Sequence, residues 1–319
     1  MSQSRQAGTR GPLSALATVG AVILLTGATG TVGSELLPLL LESGADVRVL
    51  VRDPRRLGPR RVDVQISLGD LADPFSMRHA MRGVDTVIHL AATIRDQPAG
   101  TIEELNGLAT IRLLRAAERA GVERFAFFSA IGATLFQRTR FFRAKALAER
   151  AVLEAPLQSI VFAPSIIYAP GDPWLTLLQR FTALPVVPVS GSGEARYQPI
   201  WARDVAGCVA AAMNGAGADE SSATDGARRY ELAGPQTLSY DGIVEQVLDA
   251  TDRGRPLVHV PLAAVRASLR ALELVAGSTA FATWEEAELM EVPMTAERGS
   301  EDAERLGVRP RPMADVLGA

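Results

Sequence analysis

The sequence contains one cysteine, Cys208, and three histidines, His79, His89 and His259. A single thiol excludes an intrachain disulfide and any metal site built from several cysteines. No two histidines stand at the spacing of a metal-ligand pair, so zinc chemistry is not expected. Neither sign of charge is in large excess: 33 lysines and arginines face 36 aspartates and glutamates, for a formal net charge of −3. That balance argues against the general basic footprint of a nucleic-acid-binding chain. Long apolar runs are also missing, and none approaches the roughly 20 residues that span a bilayer. The nearest case is N-terminal, where Arg5 and Arg10 precede an apolar stretch from Pro12 to Leu25 in the manner of a secretory signal. Cleavage there would destroy the glycine motif that follows. Residues 1–19 are therefore expected to be a flexible tail on a soluble, cytoplasmic protein without a transmembrane segment.

What is present suits a large globular core. Hydrophobic residues make up 47% of 319 residues and charged residues 22%, which excludes wholesale disorder. Continuous apolar runs at Ala21–Leu25, Val47–Val51, Val62–Ile66, Thr86–Leu90, Phe125–Phe128 and Ser159–Phe162 read as strands buried on both faces. Helical patterns fall between them, at Glu35–Ser43, Ile102–Ala120 and Thr139–Leu153. Strands alternating with helices predict a parallel sheet covered on both sides. Prolines at 164, 170, 173, 185, 188 and 199 then break the rhythm and suit loops that shape a pocket. Helical patterns return at Ala202–Met213, Tyr240–Asp252, Leu262–Val275 and Thr283–Glu291. A small, polar stretch from Gly215 to Gly226 reads as an exposed connection. The expected organisation is a nucleotide-binding domain over residues 20–232, with 166–200 supplying pocket loops, and a C-terminal substrate or partner lobe over 233–319.

The strongest motif is Thr26-Gly27-Ala28-Thr29-Gly30-Thr31-Val32-Gly33, directly after the first strand and opening the first helix. Gly27 permits a tight turn, Gly30 lets backbone approach a pyrophosphate, and Gly33 allows close helix packing. Thr29, Thr31 and Val32 complete the cradle, where the helix N-terminus offers unpaired amides to an anion. This context predicts dinucleotide binding and a doubly wound α/β sheet of the Rossmann type with a smaller, mostly helical C-terminal lobe. After the second strand stand Arg52, Asp53, Arg55 and Arg56. A guanidinium suits a 2′-phosphate, which favours NADP(H), whereas Asp53 could serve the ribose of NAD(H). Asp70, in Gly69-Asp70-Leu71, either accepts from an adenine amino group or caps the helix starting near Pro74. Ala91 and Ala92 are small enough for a cofactor to lie against the backbone, and His89 before them reads as a packed core residue.

Together with Ser129 and Lys145, these motifs resemble the extended and atypical short-chain dehydrogenase/reductases over roughly residues 21–312. Pro164-Ser165-Ile166-Ile167-Tyr168 is similar to the family's nicotinamide-side segment, and this implies cofactor contacts from Pro164 and Ile167. The tail Ala303–Pro310 resembles bacterial relatives of the NADPH-binding accessory subunit of respiratory complex I. Members that transfer hydride usually carry a tyrosine four residues before the lysine, whose hydroxyl protonates the carbonyl oxygen. Here that position is Phe141. The resemblance leaves Lys145 for the ribose and Ser129 as a hydrogen-bond donor; Tyr168, unless it only packs, or Lys145 itself could replace the acid, and Tyr197 could line the pocket. The block around Trp201 and Arg203 also departs from the family. Two readings follow: a reductase of a small apolar carbonyl, enone or quinone with an altered acid, or a non-catalytic NADP(H)-binding accessory or redox-sensing protein that meets a protein partner. Retention of the nicotinamide-side segment favours the reductase.

Overall fold

The computed structural model describes residues 21–217, 227–276 and 283–318. The tail expected at 1–19 and most of the connection expected at 215–226 lie outside the described residues. The first half of the chain runs β1 (Val22–Thr26), α1 (Thr31–Glu42), β2 (Asp46–Val51), β3 (Gln65–Leu68), α2 (Pro74–Ala80), β4 (Thr86–His89), α3 (Ala109–Ala120), β5 (Arg124–Phe128), α4 (Arg140–Leu153) and β6 (Gln158–Pro164). It continues through β7 (Ile167–Tyr168), α5 (Pro173–Phe181), β8 (Val187–Ser190), β9 (Arg196–Tyr197), β10 (Ile200–Trp201), α6 (Ala202–Met213) and β11 (Ala227–Leu232). One parallel sheet of seven strands results, in the order β11-β6-β5-β4-β1-β2-β3. Its direction of winding reverses between β1 and β4, the switch point at which such sheets bind ligands.

Both sheet faces are apolar, as the continuous runs require. One face packs Leu36, Leu37 and Leu40 of α1 and Val205 and Val209 of α6 against Ile23, Leu25 and Val49. The other packs Met77 of α2, Leu113 and Ala117 of α3 and Val152 of α4 against Leu24, Val87 and Phe125. Burying each such leucine, isoleucine, valine, methionine or phenylalanine side chain stabilises the fold by about 1.5–3 kcal/mol. A third cluster joins Tyr168, Leu175 and Tyr197 to α7 (Tyr240–Ala250), α9 (Trp284–Leu289) and α11 (Met313–Leu317). Residues of the proline-rich stretch and of the C-terminal lobe thus share one core. Within that lobe, β12 (Leu238–Ser239) pairs β9, and β13 (Leu257–Val260) pairs β8. α8 (Leu262–Ala276) packs on α9, and α10 (Glu301–Arg305) packs on β11.

Three departures from expectation have local causes. The third strand begins at Gln65 rather than Val62, because Pro54–Val62 winds as a 3₁₀ stretch, capped where Asp53 accepts from the Arg55 amide. β3 is an edge strand, so its alternation is weak and Ile66 and Leu68 stay exposed. The long helix expected from Ile102 opens with a π-helical turn, Glu103–Leu108. There the buried Asn106 side chain accepts from the Thr93 amide and donates to the carbonyls of Thr93 and Ile102. β11 carried no strand signal, since Arg228, Arg229 and Glu231 interrupt it. It lies at the other sheet edge, where Arg229 bridges Glu231 and Glu149.

Candidate functional site

Parallel strands place their C-terminal ends along one rim, and that rim collects the residues expected to act. The glycine turn follows β1, Arg52 follows β2, Asp70 follows β3, Ala91 and Ala92 follow β4, and Ser129 follows β5. Pro164 closes β6 and Ile167 opens β7. Within the turn, Gly27 has a φ of +78°, and a Cβ there would lie 2.6 Å from the Ala91 amide nitrogen. The turn and the run after β4 are therefore one cradle held at backbone contact. A Cβ on Gly33 would meet the Gly27 carbonyl oxygen at 2.1 Å, so Gly33 admits the turn's own backbone. Gly30 precedes α1 in an extended conformation and offers no side-chain cap to the first-turn amides. A cradle that any side chain would fill, beside an uncapped helix start, fits the pyrophosphate of a dinucleotide.

At the end expected to meet the adenosine, Arg52 is solvent-exposed, and its guanidinium lies 3.9 Å from the Asp70 carboxylate. Asp53, the alternative ribose ligand, has one carboxylate oxygen engaged in capping at the Arg55 amide. Asp70 does not cap α2. It accepts from the Ala72 amide at 2.9 Å, while Asp73 caps α2 by accepting from the amides of Phe75 and Ser76. Leu71 is half-buried beside it.

The side expected to face a nicotinamide is built on β5, α4 and the loop after β4. His89 is buried and bridges Thr26 and Thr110, with its ring nitrogens 2.7 and 2.9 Å from their hydroxyls. Burial pulls its pKa down to about 3, and the charge of Lys145 adds to this. His89 is a neutral core residue. Ser129 donates its hydroxyl hydrogen bond to Glu149, which also binds Arg229. Lys145 is 2% exposed and donates to the Phe128 carbonyl at 2.6 Å. Its ammonium sits 5.0 Å from the ring centre of Phe127 and 5.7 Å from that of Phe141. Burial drags its pKa to about 7, only partly opposed by Glu149 one turn further along α4. Phe141 packs against Phe142 and has no proton to give.

Tyr168 is fully buried in the third cluster, and its hydroxyl finds no hydrogen-bond partner. Burial and the nearby Asp204 carboxylate raise its pKa. Such a phenol is a poor proton donor at neutral pH, and the position supports packing. Tyr197 is likewise buried and donates to the Met290 carbonyl. Beside Phe141 remains a cavity of about 20 Å³, lined by Ile94, Ile102, Trp284 and Leu289 among others. That is room for about one water. α9 closes it through glutamates that each meet an arginine: Glu285 with Arg140, Glu286 with Arg95, and Glu288 with Arg266. This clamp escaped the sequence reading, although Thr283-Trp284-Glu285-Glu286 is a capping-box pattern and the box is formed. Also overlooked was that Lys145 is the chain's only lysine.

A family of NAD(P)H-binding domains matches residues 27–169. Over that segment the chain is similar to NAD(P)H-binding domains, and its fold is of the Rossmann type. The chain is 28% identical over 260 residues to the mitochondrial NADH dehydrogenase [ubiquinone] 1 alpha subcomplex subunit 9 of Arabidopsis thaliana, covering 78% of this chain and 62% of that protein. It thus spans less than two thirds of the plant subunit's length. It is 27% identical to the NAD(P)H azoreductase of Xenophilus azovorans over 76% of this chain and 77% of that one. The UDP-glucose 4-epimerase of Thermus thermophilus, solved in complex with NAD, superposes with a TM-score of 0.68 at 18% identity, covering 93% of this chain and 96% of that chain. This likeness is one of fold. In this Rossmann chain no described helix is long and apolar enough to cross a membrane.

Proposed function

We propose that the chain binds NADP(H) without reducing carbonyl compounds by the tyrosine route, and that it acts as an NADP(H)-holding accessory or sensing protein. One observation carries this reading. Of the three side chains that would perform the chemistry, Phe141 lacks a proton, Ser129 is bonded to Glu149, and Lys145 is bonded to the Phe128 carbonyl. The residues that would hold the nucleotide are the turn Gly27–Gly33, Arg52, Asp70, Leu71, Ala91, Ala92, Lys145, Pro164 and Ile167. When bound, the nucleotide would supply a hydride. The expected result is that NADPH binds, by fluorescence titration, and is not consumed over a panel of aldehydes and ketones. Phe141→Tyr alone is expected to raise that consumption less than tenfold, because the Ser129 donor stays with Glu149. A gain of about 10²–10⁴-fold, the ordinary worth of a positioned acid, would mean that only the acid was missing.

The preference for NADP(H) rests on the pairing of an exposed Arg52 with an Asp53 already engaged in capping. Arg52→Ala should weaken NADPH about 10–100-fold, the range of a lost charge-assisted hydrogen bond, and NADH by about twofold or less. Equal losses for both nucleotides would refute the phosphate assignment.

A second reading, reduction of a small apolar carbonyl, enone or quinone, is favoured by the depressed pKa of Lys145. An amine that titrates at about 7 can release a proton at neutral pH. NADPH consumption with quinone or azo acceptors that falls above pH 7, and that stays absent in Lys145→Met even at NADPH concentrations raised to saturate the variant, would support it.

A further inference from the structure

We propose that the groove between α2 and α3 is a second anion site, separate from the glycine turn, that takes a ligand bearing several phosphate groups. The groove encloses about 300 Å³ and is lined by Arg78 of α2 and Arg112, Arg115 and Arg119 of α3, over a floor of Met77 and Ala116. All four arginines are exposed, and among the described residues none has a carboxylate within 4.0 Å. This is not a consequence of a basic protein, because the chain as a whole is net acidic.

The spacing on α3 makes the charges converge. Positions 112, 115 and 119 lie three and four residues apart, so they stack along one helix face, and like charges at i,i+4 destabilise a helix. An ordinary solvated face relieves this with interleaved carboxylates, as α4 does where Arg150 meets Glu154 at 2.7 Å. On α3 the one glutamate, Glu118, forms no ion pair among the described residues. The N-cap carboxylate of α2, Asp73, is held by the Phe75 and Ser76 amides and the Ser76 hydroxyl, and Arg78 is a minor influence on it. Arg78 stacks instead on Phe75, 4.5 Å from the ring centre, which presents its fork beside the groove. Four planar, permanently charged donors without counter-charges suit a polyphosphate or a phosphorylated headgroup.

The test is calorimetric titration of inorganic tripolyphosphate into the full chain at low ionic strength. The expected result is binding that weakens at least tenfold in Arg112→Gln/Arg115→Gln. It should be unchanged in Arg52→Ala and little changed in Arg60→Gln/Arg61→Gln, which removes equal charge outside the groove. NADPH affinity should show the converse, weakened about 10–100-fold in Arg52→Ala and kept in the groove variant. Absence of tripolyphosphate binding by the wild type overturns the proposal, as does an equal loss in the Arg60/Arg61 or Arg52 variants. Co-sedimentation with phosphatidic acid vesicles, but not with phosphatidylcholine vesicles, would assign the phosphates to a lipid surface. Binding of tripolyphosphate without either would assign them to a soluble ligand.

Discussion

Gly33→Val is expected to lower nucleotide affinity more than about 100-fold and to destabilise the fold by about 1–3 kcal/mol, the usual cost of overpacking. The cause is geometric. A Cβ at this position would lie 2.1 Å from the Gly27 carbonyl oxygen and 2.7 Å from the Ala28 Cα, both backbone atoms that no side-chain rotation can move away. The turn must open, and with it the contact between Gly27 and Ala91 that joins the two halves of the cradle. Gly254→Ala is the control, since nothing lies within 4 Å of its added carbon. Nucleotide titration and thermal melting of both variants check the expectation. Wild-type affinity in Gly33→Val would show that the anion does not sit in this turn.

Lys145→Met is expected to stabilise the protein at neutral pH while weakening NADPH at least tenfold. The folded chain holds this amine at about 7 against 10.5 for an ordinary lysine. Between those values the unfolded chain binds a proton that the folded chain has released, so stability rises with pH across that window. The slope approaches about 1.4 kcal/mol per pH unit. Below pH 7 the full penalty of an ammonium held out of water applies. Methionine keeps most of the buried stem, removes the penalty, and gives up the hydrogen bond to Phe128, worth about 1 kcal/mol. Denaturant unfolding at several pH values should show the wild type gaining stability from pH 7 to pH 10 and the variant lacking that gain. Because there is one lysine, its NMR signal also reads the titration directly.

Much of this arrangement was legible in the sequence because parallel sheets write plainly. The runs at Val47–Val51 and Phe125–Phe128 are buried on both faces, so their apolar character is continuous and their boundaries shift by no more than a residue. Strand–turn–helix order then puts the glycine motif, Arg52, Asp70, Ala91 and Ser129 on one rim with no further information. Edge strands carry less. β11 is half charged, and β3 is displaced by a 3₁₀ stretch whose cap, Asp53, resembles a ribose ligand in sequence. Long-range polar contacts leave almost no local trace. Nothing near Ser129 predicts that its hydroxyl meets Glu149, twenty residues away, nor that Glu285 and Glu286 reach Arg140 and Arg95 across the site. The proposed nucleotide-holding role rests on the Ser129 contact, whereas the retained nicotinamide-side segment favoured a reductase.

α8 illustrates the same limit. Its spacing of Val265 and Leu269 with interleaved arginines is compatible with a docking face. In the fold Arg266 pairs with Glu288, Arg270 lies 4.7 Å from the Trp284 ring centre, and Val265 and Leu269 are half-buried. This side of the helix therefore supports α9 over the cavity beside Phe141.

The proposed nucleotide-holding role is tested by following NADPH bound to the wild-type protein while a panel of aldehydes and ketones is added in excess. Retention of the reduced nucleotide, unoxidised and slowly exchanging, is the predicted result. Multiple-turnover oxidation of NADPH with Phe141 in place would contradict it.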